Sequence, residues 1–598
     1  MKPKRLKRRA FFTLTLLLML TAFLLFWYLS PFFSPGENRR FEAFIDTLFR
    51  AEVSSSTINL HYTLADPAPA GIGEIPATLG TISLPDRTAH LAACENRRQI
   101  LSSFSPDKLT KANRITLDTL LFDLKTEEMP GAVSILSEVL GPSLGVQAQL
   151  PVLLSEYAFR TRKDVLDYLQ LLREMPSYFQ QIIALEREKS RQGVFMNDQA
   201  AAGVIDQCTS FLTDPEDHYL QQLFQKNLSA CGLFDEEEQQ ACLAIHQKLI
   251  ASCVLPSYQA LIEALTDLMG TGTNDGGLAR CEGGKEYYAY LVRSCTGCEE
   301  TPEELLLRLK EQLFSDCSRI SEMLSSEPSL ALLLNQTSLS FSSPEEMLQD
   351  LSQAMAQDFP LLSDTEYEVK YVDETLENYL APAFYLTPPV DTQSPNSIYI
   401  NRSSAMSGLE LYTTLAHEGF PGHLYQCVSF SRTDAPLIRH LYAPAGYVEG
   451  WATYVESYAY RYAGRNLSDD LQAAFSLQWL NRSVHLCLYS ILDIAIHNEG
   501  WLLEDAASFL GNFGITDLTT IAKIYQYIVE TPANYLKYYV GYLNFMSLKS
   551  EAEAFFNADF SLIQFHEDLM EIGAAPFPVV RKYLLINDQR ESETTLSR

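Results

Sequence analysis

The sequence predicts a mainly α-helical protein with one small β-sheet, preceded by a single membrane-spanning helix at its amino terminus. Three observations lead to this fold class. Apolar residues recur at three- and four-residue intervals over most of the chain, which is the period of a helix with one buried face. A short region between residues 361 and 401 is instead rich in β-forming residues and prolines. A run of 24 uncharged residues, 10–33, lies near the start of the chain.

The amino-terminal segment has the features of a signal-anchor. Six of the first nine residues are basic, and the uncharged run up to Pro31 would span about 30 Å as a helix, which matches the hydrocarbon thickness of a bilayer. Because positive residues stay in the cytoplasm, we predict a cytoplasmic tail (1–9), a transmembrane helix (10–33) and an extracytoplasmic body in the cell membrane. The alternative is a cleaved signal peptide and a secreted body, although such peptides have shorter apolar regions.

The composition of the 598-residue chain supports one large packed body. Hydrophobic residues make up 47%, which excludes a disordered or fibrous protein. The net charge of −30 argues against a nucleic-acid partner, because phosphate binding needs a basic face. We predict a single domain over 34–590, with a helical half (34–360), a small sheet region (361–401), a second helical half (402–590) and a polar tail (591–598).

Individual elements follow from local patterns. Helical periodicity is clear over 165–185 and 302–314, and Thr301 with Pro302 is a typical helix start. Alternation over 367–372 predicts one strand, and the short stretch 397–401 is a second strand candidate. The second strand lies just before the segment that contains His417 and Glu418. We expect it to be an edge strand that binds an extended peptide, with Tyr399 as a candidate substrate contact.

Eight of the eleven cysteines lie between residues 208 and 317, in the middle of the chain. In an exported body some of them are expected to pair as disulfides. Cys295 and Cys298 form a lone CxxC, without the second pair or nearby histidines that a structural zinc site requires. A local disulfide or free buried thiols are the expected states of this pair.

The most informative segment contains His417, Glu418 and His423. Zinc-binding helices usually place two histidines four residues apart with a glutamate between them. Here the gap is six residues, which on an unbroken helix would turn the second histidine about 120° away. Pro421 and Gly422 lie between the histidines and can break the helix. A local bulge would then bring His423 back beside His417.

An acidic pair follows 26 residues later. Glu449 and Glu456 share one face of a predicted helix whose other face is aromatic and apolar. Two carboxylates in such surroundings indicate a buried cation or water, whereas the simpler alternative is a solvated acidic face.

Several motifs occur along the chain in an order that resembles the bacterial family known as domain of unknown function 885. That family is regarded as distantly related to the helical zinc peptidases of the angiotensin-converting-enzyme, oligopeptidase and Taq carboxypeptidase types. The resemblance runs from about residue 42 to about residue 586. The six-residue histidine gap is a feature of this family. The motifs that carry the resemblance are 284–288, 381–385, His417-Glu418 with 421–423, 449–452 with Tyr454 and Glu456, Arg482, Asp493, His497 with 500–501, and 531–532 with Tyr538 and Gly541.

The resemblance implies a zinc peptidase fold and a zinc site. His417, His423 and Glu449 would bind Zn²⁺, and Glu418 would be the general base for the attacking water. Glu456 would orient a ligand histidine, although a packing or salt-bridge role is the alternative. Tyr538 is the candidate donor to the oxyanion, with a core tyrosine as the competing interpretation.

Three further residues have less specific signals. Asp493 lies four residues before His497 and is positioned to orient its imidazole for catalysis, but a lone histidine on an apolar helix is often a core residue. Arg482 is a candidate ligand for a substrate carboxylate, or a member of a structural ion pair.

The chain also departs from the family at Leu424, where a histidine is common, and at Ala533-Asn534, where Gly-Gln is common.

These features favour a membrane-anchored, extracytoplasmic zinc peptidase that hydrolyses peptides, of carboxypeptidase or oligopeptidase character. A zinc amidase for a non-peptide or cell-wall amide is a second hypothesis. A non-catalytic peptide-binding or sensor protein is a third, although such a protein has no need of a general base. No GxSxG motif is present to suggest serine hydrolysis.

Overall fold

The computed structural model describes residues 36–585 apart from 144, 273, 335–338, 340, 364, 375–376 and 378–379. The predicted cytoplasmic tail (1–9), transmembrane helix (10–33) and polar tail (591–598) therefore lie outside the described residues. Within the described part the chain is mainly helical with a three-stranded mixed sheet, as the sequence predicts.

The first four helices enclose a small core of their own. Phe41, Ile45 and Phe49 lie on one face of the first helix at three- and four-residue spacing and are buried. Ile438, from far along the chain, packs into the same core and joins it to the rest of the body. The helices are α1 (Glu37–Val53), α2 (Thr57–Thr63), α3 (Arg87–Leu101) and α4 (Lys111–Glu127).

Six helices between Val146 and Leu268 surround a second core. α6 contains the predicted segment 165–185 and begins at a capping box formed by Thr161 and Asp164. A π-helical turn, Ile250–Val254, joins the last two helices into one continuous element. The helices are α5 (Val146–Ser155), α6 (Arg162–Arg191), α7 (Asp198–Phe211), α8 (Tyr219–Cys231), α9 (Glu236–Leu249) and α10 (Leu255–Leu268).

The continuous element Glu236–Leu268 is the one helix in the described part of the chain that is long and apolar enough to cross a bilayer. Its residues Leu249, Val254, Tyr258 and Leu265 are buried in the second core, against α6 and α7. This packing is what a core helix of a globular body requires.

The third and largest core contains the remaining helices. α12 begins at Pro302 after a capping box formed by Thr301 and Glu304, which confirms the predicted start. The helices are α11 (Gly284–Thr296), α12 (Pro302–Ser326), α13 (Leu330–Leu333), α14 (Pro344–Ala354), α15 (Gly408–Glu418), α16 (His423–Ser431), α17 (Ala445–Gly464), α18 (Asp469–Ile494), α19 (Leu503–Gly511), α20 (Leu518–Glu530), α21 (Asn534–Phe556), α22 (Leu562–Ile572) and α23 (Phe577–Leu584).

The sheet lies beside α15 and has the order β1-β3-β2. β1 (Glu368–Tyr371) and β3 (Ser397–Ile400) are the predicted strands and run parallel, whereas β2 (Ala383–Leu386) runs antiparallel to β3. β3 is therefore the central strand, and the prediction that it is a peptide-binding edge strand is wrong. The prolines around β2 hid it from the sequence analysis, because proline is unusual beside a strand.

All eleven cysteines have free thiols in the structure. The CxxC pair follows this pattern: Cys298 is buried with its Sγ 2.9 Å from Thr296 Oγ1, and Cys295 Sγ donates to the carbonyl oxygen of Ala533. Of the two expected states for this pair, the structure contains the free thiols.

Candidate metal centre

A tight turn between two helices brings the two histidines together. α15 ends at Glu418 and α16 begins at His423, and the Phe420–Pro421 peptide bond between them is cis. A Cβ on Gly422 would lie 1.8 Å from the carbonyl oxygen of His417, so only glycine lets the chain pass this close. The imidazole rings of His417 and His423 are 4.7 Å apart. The predicted break in the helix is confirmed.

α17 supplies the acidic residues. Trp451, on the buried face of this helix, donates from Nε1 to the carbonyl oxygen of Pro421 at 2.9 Å and so joins α17 to the histidine turn. On another face, Glu449 Oε2 lies 3.5 Å from His417 Nε2 and 3.6 Å from His423 Nε2. Two helical turns further on, Glu456 Oε1 lies 2.7 Å from His417 Nδ1.

The donor set of His417, His423 and Glu449 fits a zinc-like ion. One ligand atom from each residue lies within 4.8 Å of the other two. In a tetrahedral site with zinc–ligand bonds of about 2.0–2.2 Å, neighbouring ligand atoms are separated by about 3.3–3.6 Å. The two His–Glu separations of 3.5 and 3.6 Å match this value. His417 Nδ1 donates a hydrogen bond to Glu456 Oε1, which leaves Nε2 of His417 directed at the cluster.

The electrostatics of the cluster favour a cation. Burial alone would lower the pKa of His417, but hydrogen bonds to Glu449 and Glu456 raise it well above its ordinary value. Burial alone would raise the pKa of Glu449, yet hydrogen bonds from His417 and His423 lower it far below its usual range. Burial alone would also raise the pKa of Glu456, but the hydrogen bond from His417 and the charge of Arg482 lower it. Both carboxylates therefore stay ionised and attract positive charge to this position.

Glu418 points from the end of α15 toward the sheet. Its Oε2 accepts a hydrogen bond from the backbone amide of Tyr385 in β2 at 2.8 Å. Phe384 lies opposite Tyr399 in β3. Backbone N–H groups of successive residues in a strand point to opposite sides, so the Tyr385 amide points away from β3. The edge strand of this sheet is therefore β2, and it lies next to the predicted general base.

α21 reaches the cluster through a backbone contact with α17. A Cβ on Gly450 would lie 2.4 Å from the Cα of Gly541, so the two helices touch without side chains between them. This contact places Lys537 Nζ 3.6 Å from Glu449 Oε1. It also places the ring of Tyr538 6.4 Å from the ring of His417. Burial, with Glu449 nearby, raises the pKa of Tyr538, so its phenol remains a hydrogen-bond donor.

An open cavity of about 860 Å³ lies beside the cluster. It brings His417, Glu418, Glu456, Arg482 and Tyr538 to one surface, five of the residues predicted for the site. The side chains that complete its wall are largely uncharged and rich in tyrosine: Pro382, Ala383, Met406, Leu409, Glu410, Thr413, Thr414, Tyr460, Gln478, Leu486, Tyr489, Tyr527, Asn534 and Tyr535, together with Leu334.

The structure does not bring His497 and Asp493 to this cavity. His497 is fully buried, its Nδ1 accepts from the Leu278 amide, and its Nε2 donates to the carbonyl oxygen of Ile528. Asp493 Oδ1 instead accepts from Tyr288 Oη and the Ala533 amide. The predicted Asp493–His497 pair is thus replaced by separate partners for each residue, and both residues support the core.

Tyr399 also lies away from the cavity wall. Its hydroxyl donates to Glu156 Oε2 at 3.1 Å, and its ring stacks on Phe384 in the neighbouring strand. These contacts join the sheet to the first helical half of the body, so the structure gives Tyr399 a packing environment in place of the predicted substrate contact.

We expect the protein to lose stability in acid, because four buried histidines and the half-buried His440 are held without charge. Burial lowers the pKa of each histidine from its ordinary value of about 6.5. At a pH between the folded-state and unfolded-state pKa values, the unfolded protein binds more protons than the folded protein. The free energy of unfolding therefore falls as the pH falls. By pH 5 each histidine should cost about 2 kcal/mol, and their sum is larger than the opposite effect of Asp123, Glu186 and Asp493, whose pKa burial raises to about 7. The folded pKa values are about 4 for His218, His440 and His497 and about 3 for His246 and His566.

Urea unfolding at pH 7.5, 6 and 5 would measure this dependence. The slope should persist in chelator, since none of the five histidines belongs to the candidate metal cluster. A midpoint that is constant from pH 7.5 to pH 5 would contradict it.

Two contacts of the candidate site were not predicted from the sequence. Tyr385 acts through its backbone amide, which a residue pattern does not reveal. Lys537 lies beside a candidate ligand, and its signal in the sequence is a lone cation within an aromatic stretch, 534–542.

Of the two departures from the family, Leu424 is buried in the core, and Ala533 has a φ of +65°, the left-handed region that glycine adopts without strain.

Comparison with known proteins places this geometry in context. The family model described as "Bacterial protein of unknown function (DUF885)" matches residues 69–584. The chain is similar to a "putative lipoprotein" from Colwellia psychrerythraea, with a TM-score of 0.76 and 18% identity over 92% of this chain and 99% of that one. It is similar to a "putative lipoprotein of unknown function" from Shewanella oneidensis, with a TM-score of 0.58 and 16% identity over 84% and 94% of the two chains. These likenesses show a shared fold. No curated protein matches the sequence.

Proposed function

Because the chain belongs to the DUF885 family of bacterial proteins and holds a His, His, Glu cluster beside a large cavity, we propose that it is a zinc-dependent peptidase. The observation that carries the proposal is the convergence of three metal-ligand atoms within 4.8 Å of one another, next to a glutamate on the cavity wall. Two imidazoles and one carboxylate are the donor set of catalytic zinc sites, which keep one position open.

A bound zinc ion would supply Lewis-acid polarisation of the scissile carbonyl and lower the pKa of a water molecule. The residues of the chain perform the remaining tasks. Glu418 takes the proton from the attacking water and returns it to the leaving nitrogen as the C–N bond breaks. The phenolic hydroxyl of Tyr538 donates a hydrogen bond to the developing oxyanion. Glu456 holds Nδ1 of His417, which fixes the direction of Nε2.

The outer edge of β2, where the Tyr385 amide already donates to Glu418, favours a peptide as the substrate. Ala383 lies two residues before Tyr385, so its backbone groups also face away from β3, and Ala383 lines the cavity. An extended peptide can pair with this edge by backbone hydrogen bonds. Glu418, which contacts the Tyr385 amide, then lies beside the bound backbone.

We further propose that the body acts in the cell envelope. The two similar solved structures are described as "putative lipoproteins", and lipoproteins are envelope proteins. The first cysteine of this chain is Cys94, within the folded body, so within this sequence the uncharged run 10–33 is the candidate attachment to the membrane.

The proposal is tested by metal content. We expect residues 34–598, purified without chelator, to contain one zinc ion per chain and to cleave peptides. His423→Ala should lose at least 90% of the zinc and of the activity, because it removes one of three ligands. His485→Ala, which changes a histidine on α18 outside the cavity wall, is the matched control and should keep both.

The other hypotheses give different results. Hydrolysis of cell-wall amides without hydrolysis of peptides would identify an amidase on the same site. A well-folded protein that resists zinc loading would refute the enzyme and favour a peptide-binding protein.

A further inference from the structure

Arg482 lies on the wall of the cavity that contains His417 and Glu418. Its side chain is 48% exposed, and its Nε lies 3.6 Å from Glu456 Oε2, while the other oxygen of Glu456 contacts His417. One carboxylate thus separates the guanidinium from a candidate metal ligand. The contact with Glu456 uses Nε, one of the five N–H donors of a guanidinium.

The charges of the cavity wall make this position distinctive. Among the described residues of the wall, Glu410, Glu418 and Glu456 are acidic, and Arg482 is the one lysine or arginine. A free carboxylate that enters the cavity is repelled by the acidic residues and attracted by Arg482. Arginine is also the side chain whose planar fork matches a carboxylate with two parallel hydrogen bonds.

An aromatic surface adjoins Arg482. Tyr489 lies two helical turns along α18 from Arg482, and its ring is 5.0 Å from the ring of Tyr535. Tyr527 continues this surface at 5.7 Å from Tyr535, and its hydroxyl accepts from Asn534. Such rings offer a large apolar area together with hydroxyl groups, which suits an uncharged, bulky side chain.

We infer that Arg482 binds the α-carboxylate of the last residue of the substrate, with the side chain of that residue against Tyr489 and Tyr535. This inference rests on the proposed peptidase function and makes the protein a carboxypeptidase, which cleaves near the free carboxyl end of a peptide. An α-amidated peptide lacks the charge that Arg482 recognises and is a poor substrate.

The experiment compares a peptide ending in phenylalanine with its α-amide. For the wild type, kcat/KM should be about tenfold to hundredfold higher for the free acid, the range expected for hydrogen bonds to a charged group. Arg482→Gln should bring the two values together while zinc content is unchanged, and Arg482→Lys should restore part of the preference. Arg173→Gln, an exposed arginine on α6, is the matched control.

A binding measurement separates this inference from the proposed function. Calorimetry with the Glu418→Gln variant would compare N-acetyl-Phe-Phe with its amide, which requires no turnover. Tighter binding of the acid that disappears with Arg482→Gln supports the carboxylate site even if no peptide is hydrolysed. Equal binding of acid and amide overturns it even if peptides are cleaved.

Discussion

Glu418→Gln is expected to lower kcat for peptide hydrolysis by about 10²–10⁴-fold without loss of zinc. This range is the usual contribution of a general base. Glutamine keeps the size of the side chain and an oxygen that can accept from the Tyr385 amide, so the end of α15 should not move. Glu418 is not one of the three candidate ligands, so metal content should stay at the wild-type value.

Steady-state kinetics with elemental analysis on the same samples would test this expectation. Glu95→Gln, on the exposed face of α3, is the control for a change of charge alone and should leave kcat within twofold. A Glu418→Gln protein that retains zinc and full activity would show that another group takes the proton.

Gly422→Ala should abolish metal binding although it adds a single methyl group. The new Cβ would meet the carbonyl oxygens of His417 and Ala416 at 1.8 and 2.3 Å, and these are backbone atoms that cannot rotate away. The turn must open, so His423 moves away from His417 and Glu449. We expect at least a hundredfold loss of zinc affinity and a matching loss of activity, measured by competition with a chromophoric chelator.

The control is Gly511→Ala at the end of α19, where a Cβ meets no atom within 4 Å. This substitution should leave zinc affinity unchanged. Wild-type affinity in Gly422→Ala would mean that the histidine turn tolerates a different backbone path. Circular dichroism should show that both variants keep their helices.

The sequence was sufficient to predict the helices and two of the three strands, because each follows a local rule. The boundary at Thr301 is a capping box, and the residue types over 367–372 alternate as in a strand. The order of the sheet was not predictable. β2 lies between prolines, and its pairing with β3 depends on contacts between residues that are distant along the chain.

The same limit applies to the site. The resemblance to the family implied the ligands His417, His423 and Glu449. The residues themselves agreed with it, because Pro421 and Gly422 mark a break in the helix and Glu449 and Glu456 share a helical face. His497 has a similar local pattern, yet its nitrogens bind the backbone of Leu278 and Ile528, which come from separate segments of the chain. Local spacing cannot distinguish a histidine that faces a cavity from one that supports the core.

The glycine contact between α17 and α21 has a consequence for how this protein could diversify. At Gly450 and Gly541 the two backbones touch, so a larger side chain at either position would separate Glu449 from Lys537. Tyr489 and Tyr535 belong to the cavity wall and not to this crossing. Substrate preference can therefore change more easily through substitution of these tyrosines. In a mutant library that leaves Gly450 and Gly541 unchanged, most members should retain zinc.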